Sequence, residues 1–245
     1  AAITEQDFVD YILEGQPEPP LYFARMKRDN KIGPRVLGEI SIPQKMTADE
    51  FVTAINSDEF AVVIDTRERH EFMANHLKGA LFAPVNKAFN TIVGSFVMED
   101  EHIYLVVEEE KLHEAILDLF RIGLDCINGY ITPSELYAKQ DLKMITTETI
   151  TFEEFDSYNE SGNYRVLDAR KESEHLIGAI PGALNFAHTR IVENLDKIPT
   201  DKPLLVHCKV GGRAAYTSAL LQKYGYEVVL VADKVEPYLQ QRNLI

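Results

Sequence analysis

Two stretches of the chain are versions of one another. Val62-Val63-Ile64-Asp65-Thr66-Arg67 and Val166-Leu167-Asp168-Ala169-Arg170 are both apolar runs ending in Asp-x-Arg, and they stand at a constant offset of 103. Along that offset Asp65 meets Asp168, Arg67 meets Arg170, Glu71 meets Glu174, and Gly79-Ala80-Leu81 meets Gly182-Ala183-Leu184. That makes six identities in seventeen ungapped positions. A second pair of apolar runs, Ile103 to Val107 and Leu204 to His207, aligns at an offset of 100. Such self-similarity marks a duplicated unit. A length of 245 residues suits two domains of about 100 to 120 residues, each large enough to close a core. The chain divides into a leader outside the repeat, residues 1–42, a first unit, 43–140, and a second unit, 146–245.

Each unit alternates strand and helix. In the second, Thr151 caps a helix from Phe152 to Tyr158 whose first turn carries Glu153 and Glu154. Arg165–Leu167 reads as a strand, Ile180-Pro181-Gly182-Ala183 as a turn and Pro203–His207 as a strand. A helix from Ala214 to Tyr224, closed by Gly225, leads to a last strand at Glu227–Val231. Apolar β-branched runs bounded by helices predict mostly parallel sheets covered on both faces. The expected fold is α/β, two three-layer domains in tandem behind a short helical leader. In that leader Glu5–Leu13 reads as a helix, and Gly15 to Pro20 with the basic-flanked stretch Tyr22 to Pro34 as a connector.

Charge and composition exclude several functions. With 25 Lys and Arg against 39 Asp and Glu, the formal charge is −14. A body that acidic repels phosphate backbones, so nucleic acid is not expected as a broad surface partner, although a local basic pocket can still hold a small anion. No run approaches the roughly 18 apolar residues of a membrane span. Two cysteines, Cys126 and Cys208, make no disulfide framework, and no signal peptide is evident, which points to a reducing, cytoplasmic compartment. The start at Ala-Ala-Ile, without Met, is expected of a piece of something longer.

The chemistry is expected at Cys208. It follows an apolar strand and precedes Lys209-Val210-Gly211-Gly212-Arg213 and a helix. The carboxyl ends of strands are where ligands bind in α/β sheets. Adjacent glycines let several amides curl toward one spot, and the helix N-terminus, Lys209 and Arg213 add positive charge. All of these favour thiolate over thiol, so Cys208 is expected to ionise below the ordinary value of about 8.5 and to act as a nucleophile in an anion cradle. Lys209 is the side chain expected to meet the charge of a small anion. Arg213 fits either an anion binder or a brace for the loop. Asp168 and Arg170 read as an internal ion pair at a strand end, and Glu174 as a structural carboxylate. Cys126, in Leu124-Asp125-Cys126-Ile127, reads as a buried thiol within an apolar strand.

These motifs carry a family resemblance. The second unit resembles a rhodanese (sulfurtransferase) domain: Asp168-x-Arg170, Glu174 and Gly178-Ala179-Ile180-Pro181-Gly182-Ala183 look like its first signature, and Cys208 to Arg213 like its active loop. Ala179 stands where that family commonly has His, and no Gly-Gly turn follows Val231. In the related dual-specificity phosphatases and arsenate reductases five residues separate Cys from Arg, whereas here four do. The resemblance implies sulfur transfer through a Cys208 persulfide, from small anionic donors such as thiosulfate or from low-molecular-weight persulfides, to sulfite, cyanide or thiol acceptors. It implies no cofactor and no metal in this chain. The competing class is a non-catalytic rhodanese-like scaffold.

The first unit resembles the same family more weakly, through Asp65, Arg67, His76 and Gly79-Ala80. Where Cys208 would stand it has Glu108, in a loop read as Glu108-Glu109-Glu110-Lys111-Leu112-His113, which can neither attack sulfur nor welcome an anion; His113 reads as a surface residue. The leader, Phe8 to Leu13 and Gly15 to Lys27, resembles the end of a metallo-β-lactamase-fold domain of the persulfide dioxygenase kind. No His-x-His-x-Asp-His cluster is present, so any iron site would lie in an absent upstream domain. Tyr22-Phe23 is expected to be exposed and to pack against something, an upstream domain or a second copy.

Overall fold

The computed structural model describes residues 3–14, 19–33, 38 and 40–245. Two helices lead, α1 (Glu5–Leu13) and α2 (Tyr22–Ile32). The first unit runs α3 (Ala48–Ser57), β1 (Ala61–Asp65), α4 (Arg69–Ala74), β2 (His76–Leu77), β3 (Leu81–Phe82), α5 (Phe89–Phe96), β4 (His102–Val106), α6 (Glu109–Arg121), β5 (Ile127–Ile131) and α7 (Pro133–Tyr137). A connecting strand, β6 (Met144–Ile145), pairs antiparallel with β2 and so stays with the first unit. The second unit runs β7 (Glu148–Ile150), α8 (Phe152–Asn159), β8 (Arg165–Asp168), α9 (Glu172–Ile177) and β9 (Leu184–Asn185). Two 3-10 turns at 188–190 and 192–197 follow, then β10 (Leu204–His207), α10 (Gly212–Lys223), β11 (Val228–Val231) and α11 (Val235–Gln241).

The duplication read from the sequence is a duplication of topology. The first sheet has the order β3-β1-β4-β5 and the second β7-β11-β10-β8-β9, with every pairing parallel. The outer strand β7 is matched in the first unit by a single parallel bridge, Lys45 to Tyr130. Central strands are buried along nearly their whole length, as helices on both faces require. The predicted turn forms at Ile180–Ala183, where Gly182 takes φ 77 and the Ala183 amide donates to the Ile180 carbonyl at 3.0 Å. Thr151 caps α8 through a reciprocal pair with Glu154. The α/β architecture of two parallel-sheet units behind a helical leader is therefore present.

The units share one hydrophobic core. Helix α10 lies between its own sheet and strand β3 of the first unit, with the Phe82 and Tyr216 rings 5.4 Å apart across the boundary. A second cluster, centred on Phe155, fills the far face of the second sheet.

Three sequence expectations change. The stretch from Tyr22 is helical to Ile32, and Tyr22 packs within the chain: a side chain on Gly94 of α5 would meet the Tyr22 ring at 2.6 Å. Tyr22 is thus half-buried against α5, while Phe23 stays exposed. Gly15 to Glu18 and Pro34 of the expected connector lie outside the described residues. Cys126 precedes β5 rather than lying in a strand, and is half-buried. Glu108 to His113 is no loop: Glu108 is the N-cap of α6, and Glu109 and Glu110 form its acidic first turn, favoured by the helix dipole. His113 is exposed on that helix.

Candidate active site

Strand β8 brings Asp168 to the carboxyl edge of the sheet, fully buried. The Arg170 guanidinium grips it, Nε donating to Oδ1 at 2.9 Å and Nη2 to Oδ2 at 2.7 Å, and Nη2 also donates to the Gly178 carbonyl. His175 Nδ1 lies 2.9 Å from Oδ2. Burial pushes the Asp168 carboxyl up, but the Arg170 hydrogen bonds and the nearby His207 and His175 outweigh it and hold the group below its ordinary value. In the first unit Arg67 grips Asp65 the same way and reaches the Asn75 carbonyl, while the Tyr137 hydroxyl donates to Asp65 Oδ2 at 2.6 Å. The same Asp–Arg pair is thus built in both units, with Tyr137 as the third partner in the first and His175 in the second.

Beside it, β10 ends at His207 and delivers Cys208, 1% exposed, to the start of the loop. Gly211 turns the chain with φ 86, in the left-handed region, and α10 begins at Gly212. The Lys209 carbonyl accepts from the Val235 amide at 3.2 Å, which ties the loop to α11. Among the described residues no carbonyl or side chain accepts from the amides of Lys209 through Ala214. These are the free donors of a tight loop and a helix N-terminus, and they follow directly on the thiol. Lys209 and Val210 are exposed at the rim.

Arg213, in the first turn of α10, is engaged. Its Nη1 donates to Glu174 Oε2 at 2.5 Å and its Nη2 to Oε1 at 2.8 Å. That pair holds the Glu174 carboxyl below its ordinary value. The structure thus brings Cys208, its loop, Glu174 and Arg213 together, with Asp168 and Arg170 beneath. Lys209, Arg170 and Glu174 also line a cleft of about 240 Å³ against α11.

Several neighbours escaped the sequence reading. His188, in the turn after β9, has a buried Nδ1 without a hydrogen-bond partner among the described residues. Burial, with the nearby charges of Arg213 and Lys171, pulls it down to about 4. His207 is pulled to about 4 chiefly by burial, its Nε2 4.0 Å from Asp168 Oδ1. Both are neutral at pH 7. The first unit adds Phe82 against Tyr216, and Arg69, whose Nη1 would lie 2.7 Å from a Cβ placed on Gly211. Position at the carboxyl end of a strand was the one available signal for His188; nothing in the sequence announces contacts across the units. Among the described residues no three His, Cys, Asp or Glu side chains are grouped to hold a metal ion, and no helix is long and apolar enough to cross a membrane.

A rhodanese-related protein from Thermoplasma volcanium is 26% identical over 38% of this chain and 92% of its own length, with a TM-score of 0.35. A metallo-beta-lactamase from Staphylococcus aureus is 25% identical over 54% of this chain and 36% of its own, TM-score 0.44. A thiosulfate sulfurtransferase from Pseudomonas aeruginosa is 16% identical over 81% of this chain and 42% of its own, TM-score 0.34. This chain spans less than half the length of the latter two. No curated protein matches it. Residues 151–235, which contain Asp168, Glu174, Cys208 and Arg213, match the model of the rhodanese-like domain.

Proposed function

We propose that the chain is a sulfurtransferase working through a persulfide on Cys208. The observation that carries this reading is the row of unpartnered amides from Lys209 to Ala214 that follows the Cys208 thiol at a helix N-terminus. The Cys208 thiolate attacks the outer sulfur of thiosulfate. The S–S bond to the sulfonate breaks, sulfite leaves with the bonding pair, and Cys208 keeps the sulfur as a persulfide anion. The loop amides face the negative charge on the terminal sulfur. An acceptor nucleophile, sulfite, cyanide or a thiolate, then attacks that sulfur and restores the Cys208 thiolate. Lys209 at the rim meets the incoming anion, Arg213 and Glu174 brace the first turn of α10, and Asp168 with Arg170 holds the strand end.

Phosphatase chemistry fits less well. Four residues separate Cys208 from Arg213, and Arg213 is bound to Glu174 rather than open to a phosphate. The leader's resemblance carries a narrower proposal. Beside a persulfide-oxidising metallo-β-lactamase-fold domain, Cys208 would exchange sulfur between the product sulfite and a second persulfide. Both steps need a reduced thiol, as in the cytoplasm.

The test is intact mass after brief incubation with thiosulfate, then with sulfite or cyanide, for the parent and Cys208→Ser. A gain of one sulfur atom on the parent alone, removed by the acceptor, is the expected result. No gain with thiosulfate or glutathione persulfide would refute the relay and leave the scaffold reading.

A further inference from the structure

We propose that Arg69, carried by the first unit, is an anion-binding residue of the Cys208 site that holds the negatively charged end of the sulfur donor, so that the site is complete only where the two units meet. The proposal rests on the sulfurtransferase reading of Cys208. Arg69 opens α4, and its guanidinium is pressed against Gly211 of the loop, close enough that a Cβ there would lie 2.7 Å from Nη1. It is half-buried, and among the described residues no carboxylate pairs with it. Arg67, Arg170 and Arg213, by contrast, are each paired with Asp65, Asp168 and Glu174. Leaving a cation half-buried without a counter-ion is costly, and an anionic ligand removes the cost.

The surroundings agree. Arg69 and His70 line a cleft of about 370 Å³ between α4 and the second sheet, together with Thr147, Thr149 and Ala232, and no Asp or Glu lines it. Gly211 stands three residues after Cys208, so the guanidinium lies against the loop that bears the thiol. The repeat itself does not require the arginine: at the offset of 103 the second unit has Glu172. An arginine that the fold does not need, on the unit that lacks a nucleophile and facing the unit that has one, serves the ligand.

The experiment compares alkylation of Cys208 by iodoacetate and by iodoacetamide, reagents of similar size that attack the same thiolate and differ in charge. Their rate ratio cancels any change in thiol ionisation. In Arg69→Gln the iodoacetate-to-iodoacetamide ratio is expected to fall about three- to tenfold, the effect of one unit charge at contact range in a partly wet site. Arg69→Lys should keep most of the ratio. Arg121→Gln, an equal charge change on the far helix α6, should leave it unaltered. With thiosulfate, Arg69→Gln should raise KM more than it lowers kcat. An unchanged ratio, or equal slowing of both reagents, would overturn the proposal and leave Arg69 as packing for Gly211. The alkylation ratio does not depend on sulfur transfer, so a parent that forms no persulfide while Arg69→Gln still lowers the ratio would count against the enzyme reading and not against the anion site.

Discussion

Glu174→Gln tests whether Arg213 braces the loop or waits for an anion. The wild-type pair consists of two charge-assisted hydrogen bonds of 2.5 and 2.8 Å between side chains that are 21% and 28% exposed. Fully buried, one such bond is worth about 1.5–3 kcal/mol. Partial exposure screens the pair, and Gln keeps one acceptor, so the expected loss is about 1–2 kcal/mol in urea unfolding at pH 7. Sulfur transfer should slow with it, because Arg213 fixes the turn that presents the amides. A misplacement equivalent to about 1.4 kcal/mol lowers kcat about tenfold. The stability difference is itself pH-dependent. The Glu174 carboxyl ionises lower folded than unfolded, so its contribution is complete above the unfolded value of about 4.3 and disappears as pH falls through the folded one. Parent and variant should therefore converge in acid. If Arg213 were an anion binder held in check by Glu174, the variant would free it. Unchanged stability with a lower KM for thiosulfate would refute the brace.

The two loop glycines should behave differently. Gly211→Ala forces a side chain into φ 86 and against Ala232, whose Cα would lie 3.0 Å away, and should cost about 1–2 kcal/mol or more in urea unfolding. Gly212→Ala meets nothing within 4 Å and begins a helix, so its stability should stay within about 0.5 kcal/mol of the parent; equal losses in both would contradict the backbone argument. His188 and His207 ionise near 4 in the folded chain against about 6.5 unfolded, so below pH 6.5 only the unfolded chain takes up their protons. Each should erode stability by up to about 1.4 kcal/mol per pH unit between 6.5 and 4. Urea unfolding from pH 6.5 to 5 should show this decline, less steeply in His188→Gln, and a flat profile would show that these imidazoles are not held neutral.

What the sequence made legible was whatever depends on neighbours along the chain. Asp-x-Arg closes on itself over two residues, Thr151 and Glu154 cap one helix, and Ile180 to Ala183 form one turn. Cys208 was placed because strand, glycine turn and helix start are consecutive. Contacts between elements distant in sequence left no local trace. Tyr22 against Gly94, Phe82 against Tyr216, and Arg69 against Gly211 each join surfaces that only the packed units define. His188 was invisible because its environment comes from Arg213, Lys171 and Glu174, none adjacent in the chain. The misread acidic loop has a more specific cause. Glu108 stands opposite Cys208 when the strands are aligned, but a run of glutamates suits the N-cap and first turn of a helix rather than a loop.

The connections between strand and helix locate the difference between the units. Both sheets place the equivalent strands β1 and β8 next to β4 and β10, and both hold an Asp–Arg pair at the strand end. Between β4 and α6 lie two residues, Val107 and Glu108, whereas between β10 and α10 lie four, Cys208 to Gly211. The first unit thus lacks the proposed nucleophile and also the loop length and the left-handed glycine of the proposed cradle. Its sheet nevertheless covers the helix that bears the cradle. Ala214, Ala215, Thr217, Ser218, Ala219, Leu220 and Leu221 of α10 are all buried, which one sheet face cannot achieve for a helix; the other face is closed by the first unit around Phe82. Separated from that unit, α10 would expose apolar surface at the very turn whose amides must stay fixed. The first unit therefore contributes to the candidate chemistry without a reactive group of its own, by burying the helix that presents the loop and by setting Arg69 against it.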